Sequence, residues 1–168
     1  IRNNPRHRDK AEYIDAIYDS SKSLLVMMSS ALDYAKYEQG IFEIDSISFN
    51  LHGLIHGLIF SVNTTAEKRG IHLYEIIADD VPAMVVGDPE KLRQVFLNLL
   101  NNALKFTERG TITLTVDRLG SDNEDTVNLK FSVIDTGIGI AHQSYEDIFD
   151  PYIQGDSSVA RRYGGSGL

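Results

Sequence analysis

Asn98-Leu-Leu-Asn-Asn-Ala-Leu-Lys105, followed by Phe106-Thr107, is the stretch on which the reading of this chain turns. Around it Leu92, Val95, Phe96, Leu99, Leu100 and Ala103 recur at helical spacing. Asp88-Pro89 opens the segment as an N-cap with a proline in the first turn, and Gly110 is expected to close it. Asparagine is a poor helix-interior residue, because its short amide competes for nearby backbone groups. Yet Asn98, Asn101 and Asn102 all stand in the second half. Asn98, Asn102 and Lys105 fall at i, i+4, i+7 and so share one face. Amide oxygens ligate a hard cation and an ammonium neutralises phosphate, so the stripe suits a hydrated metal with phosphate oxygens. Taken alone, it fits a solvated helix face equally well.

The 168 residues are enough for one domain, or one domain with an appendage, and for a sizeable core. A formal charge of −8 argues against a broad nucleic-acid or anionic-membrane surface. With no cysteine there is no disulfide framework, thiolate zinc site or thiol nucleophile. No run of about 18 apolar residues and no charged-then-apolar leader appears, so no membrane contact is expected of this segment.

Upstream of the amide segment, residues 8–39 read as one long helix. Ile14, Ile17, Ser21, Leu24, Met28, Ala31 and Ala35 alternate by three and four, a heptad seam that asks for a partner helix or a second copy of the chain. Ile41 to Phe49 alternates as a short strand or connector. Asn50 caps a helix from Leu51 to about Lys68, stopped by Gly70. Ile71–Ile77 reads as a strand, and Asp79, Asp80 and Pro82 turn the chain toward Val85-Val86. Downstream, Thr111–Arg118 and Val127–Asp135 alternate as two strands around a Gly-, Ser-, Asp- and Asn-rich hairpin loop. The layout predicts an α+β sandwich, a mixed sheet with helices on one face, preceded by a helical stalk.

Two loops carry further chemistry. Asp135-Thr-Gly-Ile-Gly-Ile140 follows a strand directly. A carboxylate there can accept from the exocyclic amine of adenine, and glycines two apart let backbone approach a ligand. By itself Gly-x-Gly is weak evidence, equally an Asp-initiated turn, and no third glycine supports a Rossmann reading. Arg161-Arg-Tyr-Gly-Gly-Ser-Gly-Leu168 exposes consecutive amides that suit phosphate oxygens, or forms an unstructured tail.

The order of the boxes is more specific than any one of them. Asn98-x-x-x-Asn-Ala-x-Lys-Phe, then Asp-x-Gly-x-Gly, then Phe149-Asp-Pro-Tyr152, then Gly-Gly-x-Gly-Leu resembles the ATP-binding domain of sensor histidine kinases, in the superfamily shared with gyrase, Hsp90 and MutL. The run from Asp156 to Gly165 looks most like hybrid kinases, which pass phosphate to an attached receiver domain. Glu12 to Gly40 looks like the second helix of the dimerisation and phosphotransfer hairpin.

The resemblance implies a Bergerat-type two-layer ATP-binding fold over residues 41–168, incomplete at its C-terminus, behind a partial dimerisation helix over 1–40. It implies ATP and Mg²⁺ as cofactors, with Asn102 as the metal ligand, Asn98 beside it and Lys105 on phosphate. Asp135 would read adenine, with Gly137, Gly139 and Ile140 shaping the pocket. Phe149 and Tyr152 would belong to a lid, and Arg162, Gly165, Gly167 and Leu168 to the triphosphate side. Where the superfamily's ATPases carry a glutamate that activates water, this chain has Asn98, an amide that cannot take that proton. Transfer to a nucleophile on another domain is therefore expected rather than hydrolysis.

The family's Ser-His-Glu-x-x-Arg-Thr-Pro phosphoacceptor motif is absent, and His7 stands in the wrong context. No catalytic residue is thus assigned within the chain. The expected partners are ATP, a phosphoacceptor hairpin of the same or a partner subunit, a receiver domain, and a second copy through the N-terminal helix. The expected location is cytoplasmic, with a membrane-anchored parent. The rival reading is a non-catalytic nucleotide-binding or dimerisation module. His52 and His56, at i, i+4, read as surface or interface histidines, because no glutamate or third ligand accompanies them.

Overall fold

The computed structural model describes residues 43–120 and 126–140, together with Tyr13, Ile14, Ile17, Ser20, Ser21, Leu24, Leu25, Met28, Leu32, Gln39 and Ile41. Two compact units divide between Glu43 and Ile44. In the first, the described residues from Tyr13 to Leu32 are helical. Ile14, Ile17, Leu24 and Met28, all on the heptad seam, remain 55–66% exposed, an apolar stripe left uncovered.

The second unit runs strand, helix, strand, strand, helix, strand, strand. Its elements are β1 (Ile47–Asn50), α1 (Leu51–Lys68), β2 (Ile71–Ile77), β3 (Met84–Gly87), α2 (Pro89–Phe106), β4 (Gly110–Arg118) and β5 (Leu129–Asp135). The short strands β1 and β3 pair antiparallel, and both helices start from this ribbon. Asn50 Oδ1 accepts the Gly53 N–H at 2.8 Å to cap α1, and Asp88 caps α2 in the same way. At the far end of α1, Gly70 takes φ +68, the left-handed turn that leads into β2.

The larger sheet has the order β2-β4-β5, with β2 parallel and β5 antiparallel to β4. This is the mixed sheet that the alternating strands predict. One face carries Ile112, Leu114 and Val116, all fully buried. Against it pack Leu51, Ile55, Leu58 and Ala66 of α1 with Phe96, Leu100, Ala103 and Leu104 of α2. Phe96 meets Phe131 edge-on, ring centroids 5.1 Å apart. Full burial of such a side chain contributes about 1.5–3 kcal/mol, so this layer fixes where α2 lies. The opposite face presents Thr113 and Thr115 beside exposed Tyr74, Ile76 and Ile134.

Three boundaries differ from the sequence expectation. The strand foreseen over 41–49 is confined to Ile47–Asn50, because its partner β3 is only four residues long. Likewise β5 begins at Leu129 rather than Val127. Helix α2 ends at Phe106 with Thr107 as its C-cap, whose N–H returns to the Ala103 carbonyl. Gly110 instead opens β4 at φ +125, where an added Cβ would collide with Thr136 Oγ1.

Candidate functional site

Helix α2 lays its apolar side on the sheet and leaves the other side to solvent. Asn98, Asn101 and Asn102 are exposed, whereas Phe96, Leu100, Ala103 and Leu104 are buried. The amide stripe is therefore open along its length. Lys105 stands half-buried at the end of the stripe, its Nζ 4.9 Å from the centroid of the Phe106 ring.

The Asp-x-Gly-x-Gly loop is pinned to that helix end. Asp135 is the last residue of β5 and pairs with Ile112 of β4. Its Oδ1 accepts the Gly137 N–H at 2.8 Å, an Asx turn that swings the chain off the sheet. Among the described residues its Oδ2 has no partner, which leaves an acceptor for an outside donor. Thr136 ties back to β4 through its N–H to the Thr111 carbonyl at 3.1 Å, and its Oγ1 accepts the Thr111 N–H at 3.0 Å. The Ile138 N–H then donates to the Phe106 carbonyl at 3.2 Å. Gly137 lies so close that an added Cβ would run into that same carbonyl oxygen. Gly139, at φ +70, has nothing within 4 Å of an added Cβ among the described residues and suits its left-handed backbone conformation. Asn102, Lys105, Asp135 and Gly137 are thereby gathered at one end of α2. Ile140 is exposed beyond the loop. Phe149, Tyr152, Arg162, Gly165, Gly167 and Leu168 lie outside the described residues.

Three participants at this helix end carry no signature in the sequence. The Phe106 carbonyl is backbone, so residue type says nothing of it. The Thr107 hydroxyl is fully buried, with no hydrogen-bond partner among the described residues. Arg69, the C-cap of α1, donates its guanidinium to the Leu104 carbonyl and supports the last turn of α2 from the neighbouring helix. A cation at a helix C-terminus is favourable there. The sequence shows an arginine near a helix stop, but not that its target lies on another helix.

At the opposite end of α2, Asp88 Oδ1 accepts the N–H groups of Glu90 at 3.1 Å and Lys91 at 2.9 Å. The Lys91 N–H is the main reason its carboxyl is held below the usual 3.8, with the N–H groups of Asp45 and Glu90 and the Lys91 charge adding to it against some desolvation. His52 and His56 make their contacts elsewhere. His52 Nε2 lies 3.2 Å from the Val81 carbonyl and His56 Nδ1 lies 3.1 Å from Glu75 Oε1. Among the described residues no group of three His, Cys, Asp or Glu side chains could hold a metal.

An exposed amide stripe thus meets a carboxylate–glycine loop at one helix end of a mixed α/β sandwich. Residues 87–168 match the family described as histidine kinase-, DNA gyrase B- and HSP90-like ATPases, and belong to it. Over nearly its whole length the chain is similar to sensor kinases. It is 38% identical over 164 residues to the sensor histidine kinase GacS of Pseudomonas protegens, covering 98% of this chain and 17% of that protein. It is 40% identical over 157 residues to the hybrid signal transduction protein dokA of Dictyostelium discoideum, covering 92% of this chain and 9% of that one. The crystal structure of full-length ShkA in complex with AMPPNP superposes with a TM-score of 0.73 at 28% identity, over 90% of this chain and 32% of that one. The chain spans less than a quarter of the curated relatives it matches.

Proposed function

We propose that this chain is the ATP-binding catalytic part of a hybrid sensor histidine kinase. It would hold Mg²⁺-ATP so that the γ-phosphate passes to a histidine on a hairpin of the same or a partner subunit, and from there to a receiver aspartate. The observation that carries this reading is the Ile138 N–H on the Phe106 carbonyl, which joins the loop bearing Asp135 to the helix bearing Asn102 and Lys105. Asp135 would accept from the adenine amine through Oδ2. Lys105 would meet phosphate, and Gly137 and Gly139 would let the backbone close on the base. The Asn102 amide oxygen would hold Mg²⁺ together with phosphate oxygens. Bound there, the cation supplies charge neutralisation between neighbouring phosphates. Asn98, exposed one turn earlier, has no basic lone pair to activate water, so the site positions ATP for transfer.

Phe149, Tyr152, Arg162, Gly165, Gly167 and Leu168 complete the proposed site as lid and triphosphate contacts. The uncovered stripe through Ile14, Ile17, Leu24 and Met28 is the surface through which two copies would pair. Among the described residues no helix is long and apolar enough to cross a membrane. We place the segment in the cytoplasm, with the membrane anchor elsewhere in the parent.

Titration with AMPPNP, with and without Mg²⁺, tests the site. Loss of one ligating amide is expected to weaken binding of the Mg²⁺ complex about tenfold or more in Asn102→Ala, with little change when Mg²⁺ is omitted. Equal affinities of wild type and variant in Mg²⁺ would remove Asn102 from this role. A separately supplied hairpin bearing the family's histidine should become labelled from γ-labelled ATP, and an unlabelled hairpin would refute transfer.

A further inference from the structure

The two carboxylate oxygens of Asp88 do different work. Oδ1 takes the Glu90 and Lys91 N–H groups and closes the first turn of α2. Oδ2 takes the N–H of Asp45 at 3.2 Å, from a residue 43 positions earlier in the chain. Asp45 lies in the irregular stretch that precedes β1, where residues 43–46 have no ladder partner. The next backbone fixed by pairing is Ile47, opposite Gly87. The boundary between the two compact units falls between Glu43 and Ile44, just before the Asp45 contact.

We propose that Asp88 is a positioning residue whose second oxygen clips the connector onto the helix carrying Asn98, Asn102 and Lys105, and so sets where the backbone that travels with that helix begins. With the clip closed, Ile44 to Ser46 travel with α2. With it open, those three residues are released and add up to about 10 Å of reach, at 3.3–3.6 Å each. The effective concentration of a tethered partner falls roughly as the −3/2 power of tether length. A closed clip therefore favours delivery of phosphate within the assembly. That consequence rests on the proposed transfer reaction, whereas the clip itself does not.

Asp88→Asn separates the two roles. The side chain keeps one oxygen and replaces the other with an NH₂ group. Asparagine caps helices about as well as aspartate, and the oxygen toward α2 retains two bonds against one. The NH₂ group then opposes the Asp45 N–H, donor against donor. Asp88→Ser, with one short hydroxyl, keeps a good cap and reaches no further. In both variants the Asp45 amide should exchange about threefold to tenfold faster, while the Glu90 and Lys91 amides keep their protection. AMPPNP affinity should stay within about twofold of wild type. An Asp45 amide equally protected in either variant overturns the clip. Transfer to a separate hairpin involves no tether and should survive both substitutions. If even the wild type transfers nothing while the Asp45 amide still exchanges faster in both variants, the functional reading fails and the clip stands.

Discussion

Gly137→Ala, set against Gly139→Ala, probes the join between loop and helix. A Cβ on Gly137 would run into the Phe106 carbonyl oxygen and lie 2.8 Å from Asp135 Oδ1. The Phe106 carbonyl belongs to the last turn of a helix packed on the core and cannot retreat, so the loop must lift. Lifting breaks the 3.2 Å bond from Ile138 N–H to Phe106, a loss of about 0.5–1.5 kcal/mol. Residual crowding adds about 1–3 kcal/mol, so Gly137→Ala should destabilise the unit by about 2–4 kcal/mol. Gly139 differs in kind. A Cβ there meets nothing within 4 Å among the described residues, and φ +70 opposes it, a strain of about 1–2 kcal/mol that an exposed loop can partly relax. Urea unfolding followed by circular dichroism should therefore rank Gly137→Ala well below Gly139→Ala, with wild type above both. Displacement of a binding group by about 1 Å is enough to cost up to a hundredfold in function, so AMPPNP affinity should fall at least about tenfold in Gly137→Ala. A Gly137→Ala protein within about 0.5 kcal/mol of wild type, or one more stable than Gly139→Ala, would refute the reasoning: the loop would not be seated on the helix end.

Thr107→Val replaces a buried, unpartnered hydroxyl with a methyl group of similar volume. An unsatisfied buried hydroxyl costs about 1–3 kcal/mol, so the variant should be about 1 kcal/mol more stable in urea unfolding without nucleotide. A loss of stability would show that the hydroxyl has a partner. The depressed pKa of Asp88 carries a pH signature. A carboxylate held below its ordinary value contributes its full stabilisation above that value and loses it as pH falls through the depressed one. The amide resonance of Lys91, the main donor to that carboxyl, should stay constant from pH 8 to about 5 and then shift with a midpoint below 3.8. A midpoint at or above 3.8 would refute the depressed value.

Where structure is local, the sequence reading holds. Asn50 before α1 and Asp88-Pro89 before α2 mark helix starts through bonds spanning two or three residues, and both helices begin where those residues say. Alternation likewise identifies β2, β4 and β5, since one face of each is apolar. Alternation fails at Ile41 to Phe49, because a strand is as long as its partner and not as long as its pattern. The four residues of β3 can pair only Ile47–Asn50, and the Asp45 N–H is taken by a side chain instead. Gly110 misleads for a related reason. A glycine after a helical run ordinarily marks the C-cap, but this one is required by contact with Thr136, 26 residues later.

The same division runs through the site. Asn98, Asn102, Lys105 and Asp135 announce themselves by residue type, since an amide inside a helix and a carboxylate ahead of glycines are locally unfavourable choices that call for a reason. What would join them into the proposed site is the contact of two backbone groups, Ile138 N–H and Phe106 C=O, and backbone groups are the same in every sequence. Only Gly137 betrays it, as the residue whose missing Cβ makes room for that carbonyl. The two glycines of the loop look interchangeable in the sequence and are not: one is required by a neighbour and the other by its own φ. A motif of this kind therefore records two independent constraints. Their separability is what makes the pair of alanine substitutions informative about the helix–loop junction on which the proposed nucleotide site depends.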